Sequence, residues 1–134
     1  MPTYQYKAGL QNVGSYQVGG TPYLTGGAVP DSAPNDEVKI TFPTVTKNVL
    51  VTNTSGTIGI RVHFNSAATA SVITGHHFFT LSNKGDNVTF NSKCKEIYIS
   101  LETPGTDGGF ELVADLTGIE AHEMFALTGA GLTD

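Results

Sequence analysis

The feature that most constrains the fold is a series of short segments between residues 37 and 116 in which apolar and polar side chains alternate. In the clearest of them, residues 58–64, every second residue is apolar and the positions between hold Gly59, Arg61 and His63. A period of two is typical of a strand with one buried face. Turn residues, chiefly Gly, Asn, Ser and Pro, separate the segments. The pattern predicts an all-β fold with about seven short strands, arranged as a single small antiparallel β-sandwich or jelly-roll-like domain.

Two features of the alternation indicate how the strands are arranged. Residues 49–51 are continuously apolar, which predicts that the strand 48–53 is central and covered on both faces. The turn residues 54–57 predict a hairpin that joins this strand to 58–64. The other predicted strands cover residues 37–42, 76–81, 88–90, 96–101 and 110–116.

The two flanks of this region lack the alternation. Residues 1–36 are rich in Gly and Pro, which disfavour helices and central strands. We therefore expect an extended N-terminal arm at 1–36, a β-sandwich core at 37–116 and a C-terminal tail at 117–134 with a short helical turn. Apolar side chains along the arm favour anchoring on another surface. The alternative is a long loop packed on its own domain.

Composition and charge argue against several classes of function. The chain carries 7 Lys and Arg against 12 Asp and Glu, for a net charge of −5, and it lacks the basic clusters that attract nucleic acids. It shows neither a basic leader followed by an apolar run nor an apolar stretch long enough to span a membrane, so we expect a protein of a cytoplasm-like compartment. Its single cysteine, Cys94, cannot form an intrachain disulfide, and it is predicted to be buried.

The residues most capable of chemistry do not form a catalytic or metal-binding motif. His63 lies on the outward phase of its strand, which predicts an exposed side chain. His76 and His77 are adjacent and point to opposite faces if extended, which disfavours a shared metal ion. The segment 120–123 lacks the second histidine of a zinc-protease helix, because position 126 is Ala. We therefore expect no catalytic residue, no cofactor and no metal, and a protein that is not an enzyme.

Five segments together carry a resemblance to a known class of protein. They are YQYKAGLQNVGSYQV (4–18), GTPYLTG (20–26), FPTVTKNV (42–49), KEIYIS (95–100) and MFALTGAGLT (124–133). In their arrangement the chain resembles a small virion structural protein of contractile-tailed bacteriophages that infect marine cyanobacteria. The resemblance implies a protein that decorates or cements the capsid shell. It also allows a tail component, and in either case a virion protein assembled in the host cytoplasm.

The partners implied are the major capsid protein or tail subunits, together with other copies of the chain, with neither nucleic acid nor membrane involved. Aromatic and apolar anchors dominate the energetics of such contacts. A carbohydrate- or receptor-binding β-sandwich that uses loops near 65–70 and 103–109 is the alternative, although the chain has no Trp to stack on a sugar. The side chains predicted to make the interface are Tyr4, Tyr6, Tyr16, Tyr23, Met124, Phe125 and Leu127.

Overall fold

A computed structural model describes residues 21–29, 36–56, 58–67, 72–73, 75–103 and 108–124. These residues form eight strands and one short 3₁₀ turn at Ala121–Glu123. The strands are β1 (Pro22–Val29), β2 (Glu37–Thr41), β3 (Thr44–Asn53), β4 (Ile60–His63), β5 (Phe79–Leu81), β6 (Asn87–Phe90), β7 (Glu96–Leu101) and β8 (Gly108–Glu120).

The strands build two four-stranded sheets. Sheet A has the order β1-β8-β3-β6 and sheet B the order β2-β7-β4-β5, and neighbouring strands are antiparallel in both. The predicted small antiparallel β-sandwich is therefore confirmed. Each sheet contributes one apolar face to a shared core.

The core lies between the inner faces of the two sheets. Strand β8 shows how the period of two builds it, because its inward residues are buried while Glu111, Val113 and Asp115 point outward. Burying one such aliphatic or aromatic side chain contributes about 1.5–3 kcal/mol. The fully buried apolar side chains of this core include Phe42, Val49, Val51, Ile60, Val62, Ile97, Ile99 and Leu112.

The sheet begins earlier in the chain than the predicted boundary at residue 37. Pro22–Val29, expected within the arm, pair along their length with β8 as an edge strand. Proline is tolerated at the first residue of an edge strand because no ladder donor is needed on the open side. The Tyr23 ring packs edge-to-face on Phe42 with 5.3 Å between centroids. At the other end, β8 runs to Glu120, into the predicted tail.

The predicted hairpin between 48–53 and 58–64 is wrong, because β3 and β4 belong to different sheets. The Asn53 side chain explains the crossing. It is fully buried, and its Nδ2 donates to the carbonyls of Ile58 (3.1 Å) and Leu81 (2.8 Å). Its Oδ1 accepts from the Ser55 N–H at 2.8 Å. Asn53 thus ends a strand of sheet A and ties it to Ile58, two residues before β4, and to Leu81 in β5 of sheet B.

Two smaller expectations also change. Strand β3 is central in sheet A, but Leu50 and Thr52 on its outer face are only half-buried, so the strand is not covered on both sides. The predicted strand 76–81 is shortened to Phe79–Leu81, because His76 adopts a left-handed backbone with φ of 59° in the preceding turn. The helical piece expected in the tail is the single turn Ala121–Glu123.

Replacing Asn53 by Ala tests the link between the sheets. The change leaves the carbonyls of Ile58 and Leu81 without their side-chain donor in a buried site, so we expect a loss of about 2–4 kcal/mol in the free energy of unfolding. Urea unfolding measures it. The matched control is Asn87→Ala, because the exposed Asn87 side chain donates to the Gly85 carbonyl. This substitution should lower the free energy of unfolding by less than about 0.5 kcal/mol. Equal losses in the two variants would contradict the link.

Candidate functional site

The outer face of sheet B carries the polar side chains that come nearest to a chemical site. The strand registers place Glu37 and Arg61 opposite Ser100, and Lys39 and His63 opposite Tyr98. We call these residues the polar face. Outward strand positions normally meet water, yet Ser100 and His63 are 4% and 1% exposed. Part of this face is therefore covered by the rest of the chain.

His63 is held by hydrogen bonds through both ring nitrogens. Nδ1 lies 2.6 Å from the Asn65 carbonyl oxygen, which can only accept, so Nδ1 carries the proton. Nε2 then accepts from the Ser100 hydroxyl at 2.9 Å. The ring also stacks parallel to Tyr98, with 6.0 Å between centroids. The predicted exposure of His63 is wrong, because its face of the strand is covered.

The segment 64–78 supplies the cover, as far as it is described. Glu37 Oε1 accepts from the Ala67 N–H at 2.6 Å, which fixes the start of the segment to β2. At its other end the Arg61 guanidinium lies 4.4 Å from the centroid of the Phe78 ring, a cation–π contact. Val72, between these two points, is fully buried.

The serine and histidine of the polar face have the contact of a nucleophile–base pair. Such a pair acts on a substrate only when the hydroxyl is accessible and oxyanion donors face it. Here both residues are buried, so the hydroxyl is not accessible to a substrate. The hydrogen bond joins the neighbouring strands β4 and β7 of sheet B, and its role is structural.

Burial also sets the ionisation of the polar face. The pKa of His63 lies below the usual 6.5, chiefly because burial penalises the charged ring, although the bond to the Asn65 carbonyl opposes this. Burial raises the pKa of Tyr98, and the carboxylate of Glu96 adds to the effect. Glu96 itself forms an ion pair with Lys39 at 3.2 Å, which is exposed enough to contribute little stability.

Cys94 is buried, as predicted. Its Sγ lies 3.3 Å from Thr46 Oγ1, and its N–H donates to the same oxygen at 3.1 Å. Burial raises the pKa of the thiol to about 11, the opposite of the shift that activates a nucleophilic cysteine. Cys94 is thus a packing residue at the irregular start of β3.

The other histidines do not assemble a metal site with their neighbours. His76 and His77 are exposed in the turn before β5, and their N–H groups donate to the carbonyls of Ile73 and Val72. Within the described ranges, no three His, Cys, Asp or Glu side chains come close enough to hold a metal ion.

The outer face of sheet A presents a different feature, a row of apolar side chains in contact with solvent. The registers place Leu24 opposite Val113, and Val113 opposite Leu50 on its other side. Leu24 is 72% exposed and Val113 37% exposed, and Leu50 is half-buried. We call these three residues the apolar row. It runs across β1, β8 and β3, and exposed Thr89 of β6 continues it.

Carboxylates lie on both sides of the apolar row. Asp115 is one outward position further along β8 than Val113, and Asn48 Nδ2 donates to it at 3.1 Å. Glu111 is one outward position before Val113 and lies opposite Gly26. An apolar strip rimmed by charge is typical of a protein interaction surface.

The residues predicted for the interface lie apart from the apolar row. Tyr23 is half-buried on the inner face of β1 against Phe42, and Met124 is 5% exposed. Sequence reasoning missed Leu24, Leu50 and Val113. The outward phase of Val113 was a visible signal, but its alignment with the two leucines requires the strand registers. The remaining predicted residues, Tyr4, Tyr6, Tyr16, Phe125 and Leu127, lie outside the described residues.

Comparison with known proteins returned no match to any protein family, to any curated protein or to any solved structure. In the part of the chain that the structure describes, no helix is both long and apolar enough to cross a membrane. The loops considered for carbohydrate binding fall partly outside the described residues, at 68–70 and 104–107.

The burial of His63 predicts a pH dependence of stability. Folding lowers the pKa of this group, so the unfolded chain binds the extra proton. The stability that neutral His63 contributes is fully present above pH 6.5, and it is lost as the pH falls from 6.5 through the folded-state pKa. We expect the free energy of unfolding, from urea titrations, to fall between neutral pH and about pH 5. His63→Gln should reduce that fall, whereas His77→Gln, at an exposed site, should leave it intact. An unchanged fall in the His63 variant would contradict the assignment.

The environment of Cys94 predicts an unreactive thiol. Its burial and raised pKa should slow reaction with an aromatic disulfide reagent at neutral pH by about a hundred-fold or more relative to an exposed cysteine. A Thr89→Cys variant provides the exposed cysteine in the same protein. Unfolding in urea should make both thiols react at similar rates. Rapid labelling of Cys94 in the folded chain would show that it is accessible.

Proposed function

We propose that this chain is a structural virion protein that binds and stabilises a bacteriophage capsid shell through contacts with neighbouring subunits. The observation that carries the proposal is the apolar row of sheet A. Three aligned apolar side chains on an otherwise polar face lose solvent-exposed area when a partner covers them. The resemblance of five segments to virion proteins of contractile-tailed phages points to the same class of partner.

The two outer faces of the sandwich have different roles in this proposal: the face of sheet B is partly covered by the chain itself, and the face of sheet A binds the partner. Asn65 and Ala67 cover part of the outer face of sheet B through hydrogen bonds with His63 and Glu37. Sheet A exposes its apolar row and the carboxylates beside it. On a capsid shell, the protein would therefore be oriented with sheet A against the capsid subunits.

A repeated lattice makes a small contact effective. One row of three side chains offers less area than a stable isolated complex requires, since such complexes bury about 1,200–2,000 Å² in total. Many copies on a shell add their contacts through multivalency, so modest affinity per site is sufficient. Subunits that bind only the assembled state also stabilise it by mass action.

A truncation tests the proposal. The deletion must end before Pro22, because Pro22–Val29 form β1. We expect a chain lacking residues 1–20 to fold, as judged by circular dichroism and thermal unfolding. We expect its incorporation into phage particles to fall by about ten-fold or more, because the segment carries three of the predicted tyrosine anchors. Tagged chains are expressed during infection, capsids and tails are separated, and each fraction is immunoblotted.

The control is Phe79→Ser, which removes a half-exposed aromatic side chain from sheet B and should leave incorporation unchanged. Absence of the full-length chain from purified particles would refute a virion role. Its presence in the tail fraction alone would replace the capsid assignment with the tail alternative.

A further inference from the structure

We propose that residues 1–20 of a neighbouring copy lie across the apolar row of sheet A. This inference deepens the proposed function by naming which segment meets which face, and it rests on that function in that copies of the chain meet one another. The argument uses the charge of the face, the composition of the segment and the point where it joins β1.

The charge of the face argues against two copies packing row against row. Glu111 and Asp115 flank Val113 on the outer face of β8. A two-fold contact between identical faces would bring four carboxylates together around a small apolar strip. Like charges brought together across an interface oppose association. Lys47 does not balance them within the row, because it lies in the irregular part of β3, where the register with β8 shifts.

The composition of residues 1–20 complements that face. The segment contains no Asp or Glu, and its charged side chain is Lys7. An extended segment presents alternate side chains to the surface beneath it, and the pairs Tyr4 with Tyr6 and Tyr16 with Val18 have this spacing. Tyrosine suits an apolar strip with a polar rim, because the ring contacts the aliphatic side chains while the hydroxyl reaches the polar groups.

The point where the segment joins the sheet favours a neighbouring copy over its own. The Thr21 carbonyl accepts from the Leu116 N–H at 2.9 Å, so the chain already runs alongside β8 before Pro22. Pro22 lies opposite Asp115, outside the row, and the chain reaches the row two residues later, at Leu24. Covering its own row would require the segment to reverse direction at Gly19–Gly20. A segment that continued in the direction of β1 would lead away from the row of its own copy.

Disulfide trapping in the full-length protein tests this arrangement. Ala8→Cys and Gly14→Cys place thiols on the same side of an extended segment as the tyrosines without removing one. Thr89→Cys places one at the end of the row without removing Leu24, Val113 or Leu50. The matched control is Thr41→Cys, an exposed strand threonine on sheet B. The native thiol, Cys94, is buried and does not compete.

Chains with a segment thiol are mixed with chains that carry Thr89→Cys, under mild oxidation and without phage particles. We expect disulfide-linked heterodimers on denaturing gels at a yield about ten-fold or more above that of the Thr41→Cys mixture. Trapping accumulates weak contacts, so low affinity does not hide them. Equal yields in the two mixtures would overturn the proposal.

Two further outcomes would also overturn it. If a chain carrying both Gly14→Cys and Thr89→Cys closes mainly an internal disulfide on dilution, the segment covers its own row. If Thr89→Cys chains link to each other more readily than to segment thiols, the rows pack face to face.

A second variant separates docking from folding. Leu24→Ser combined with Val113→Thr makes the row polar at two exposed positions. It should keep the unfolding midpoint within a few degrees of that of the unchanged protein while reducing the heterodimer yield to that of the control. Retention of the full yield in a folded variant would show that the row is not the docking surface. These measurements use the purified chain, so their result does not depend on whether the protein is incorporated into phage particles.

Discussion

The alternate burial of side chains along β8 is the constraint on which the rest of the structure depends. The strand is paired on both sides, with β1 and with β3, so its register is fixed from two directions. Slipping by one residue would move Leu112 to solvent and bring Glu111 and Asp115 into the core, a change that no local adjustment could offset. The same constraint forces Val113 outward. The exposed apolar side chain is thus a consequence of the register that buries its neighbours.

The two sheets differ in how their outer faces are finished. Sheet B uses its own chain, since the Glu37 carboxylate accepts from the Ala67 N–H and His63, held by Ser100, donates to the Asn65 carbonyl. Buried hydrogen bonds of this kind fix one arrangement of the segment rather than add much net stability. Sheet A leaves its corresponding face to solvent or to a partner. One molecule therefore combines a face that is partly covered by its own chain with a face that exposes apolar side chains to solvent.

Much of the fold could be predicted from the sequence, because a period of two is a local signal. The strand carrying Ile97 and Ile99 and the alternation of β8 are visible in the printed chain. Pro22 and the two glycines of β1 concealed a strand whose order comes from pairing with β8. The separation of β3 from β4 depends on what Asn53 contacts in the other sheet. Burial of His63 depends on a covering segment without periodicity. These features arise from tertiary contacts, which local patterns do not encode.

The geometry of β1 and β8 has a mechanical consequence. The strands are antiparallel, so the flank preceding Thr21 and the flank following β8 leave from the same end of the pair. Tension applied between those flanks would load the backbone hydrogen bonds one after another and peel β1 from the edge, instead of shearing the whole ladder at once. Under such a load the chain would lengthen through β1 while the sandwich behind β8 keeps its shape.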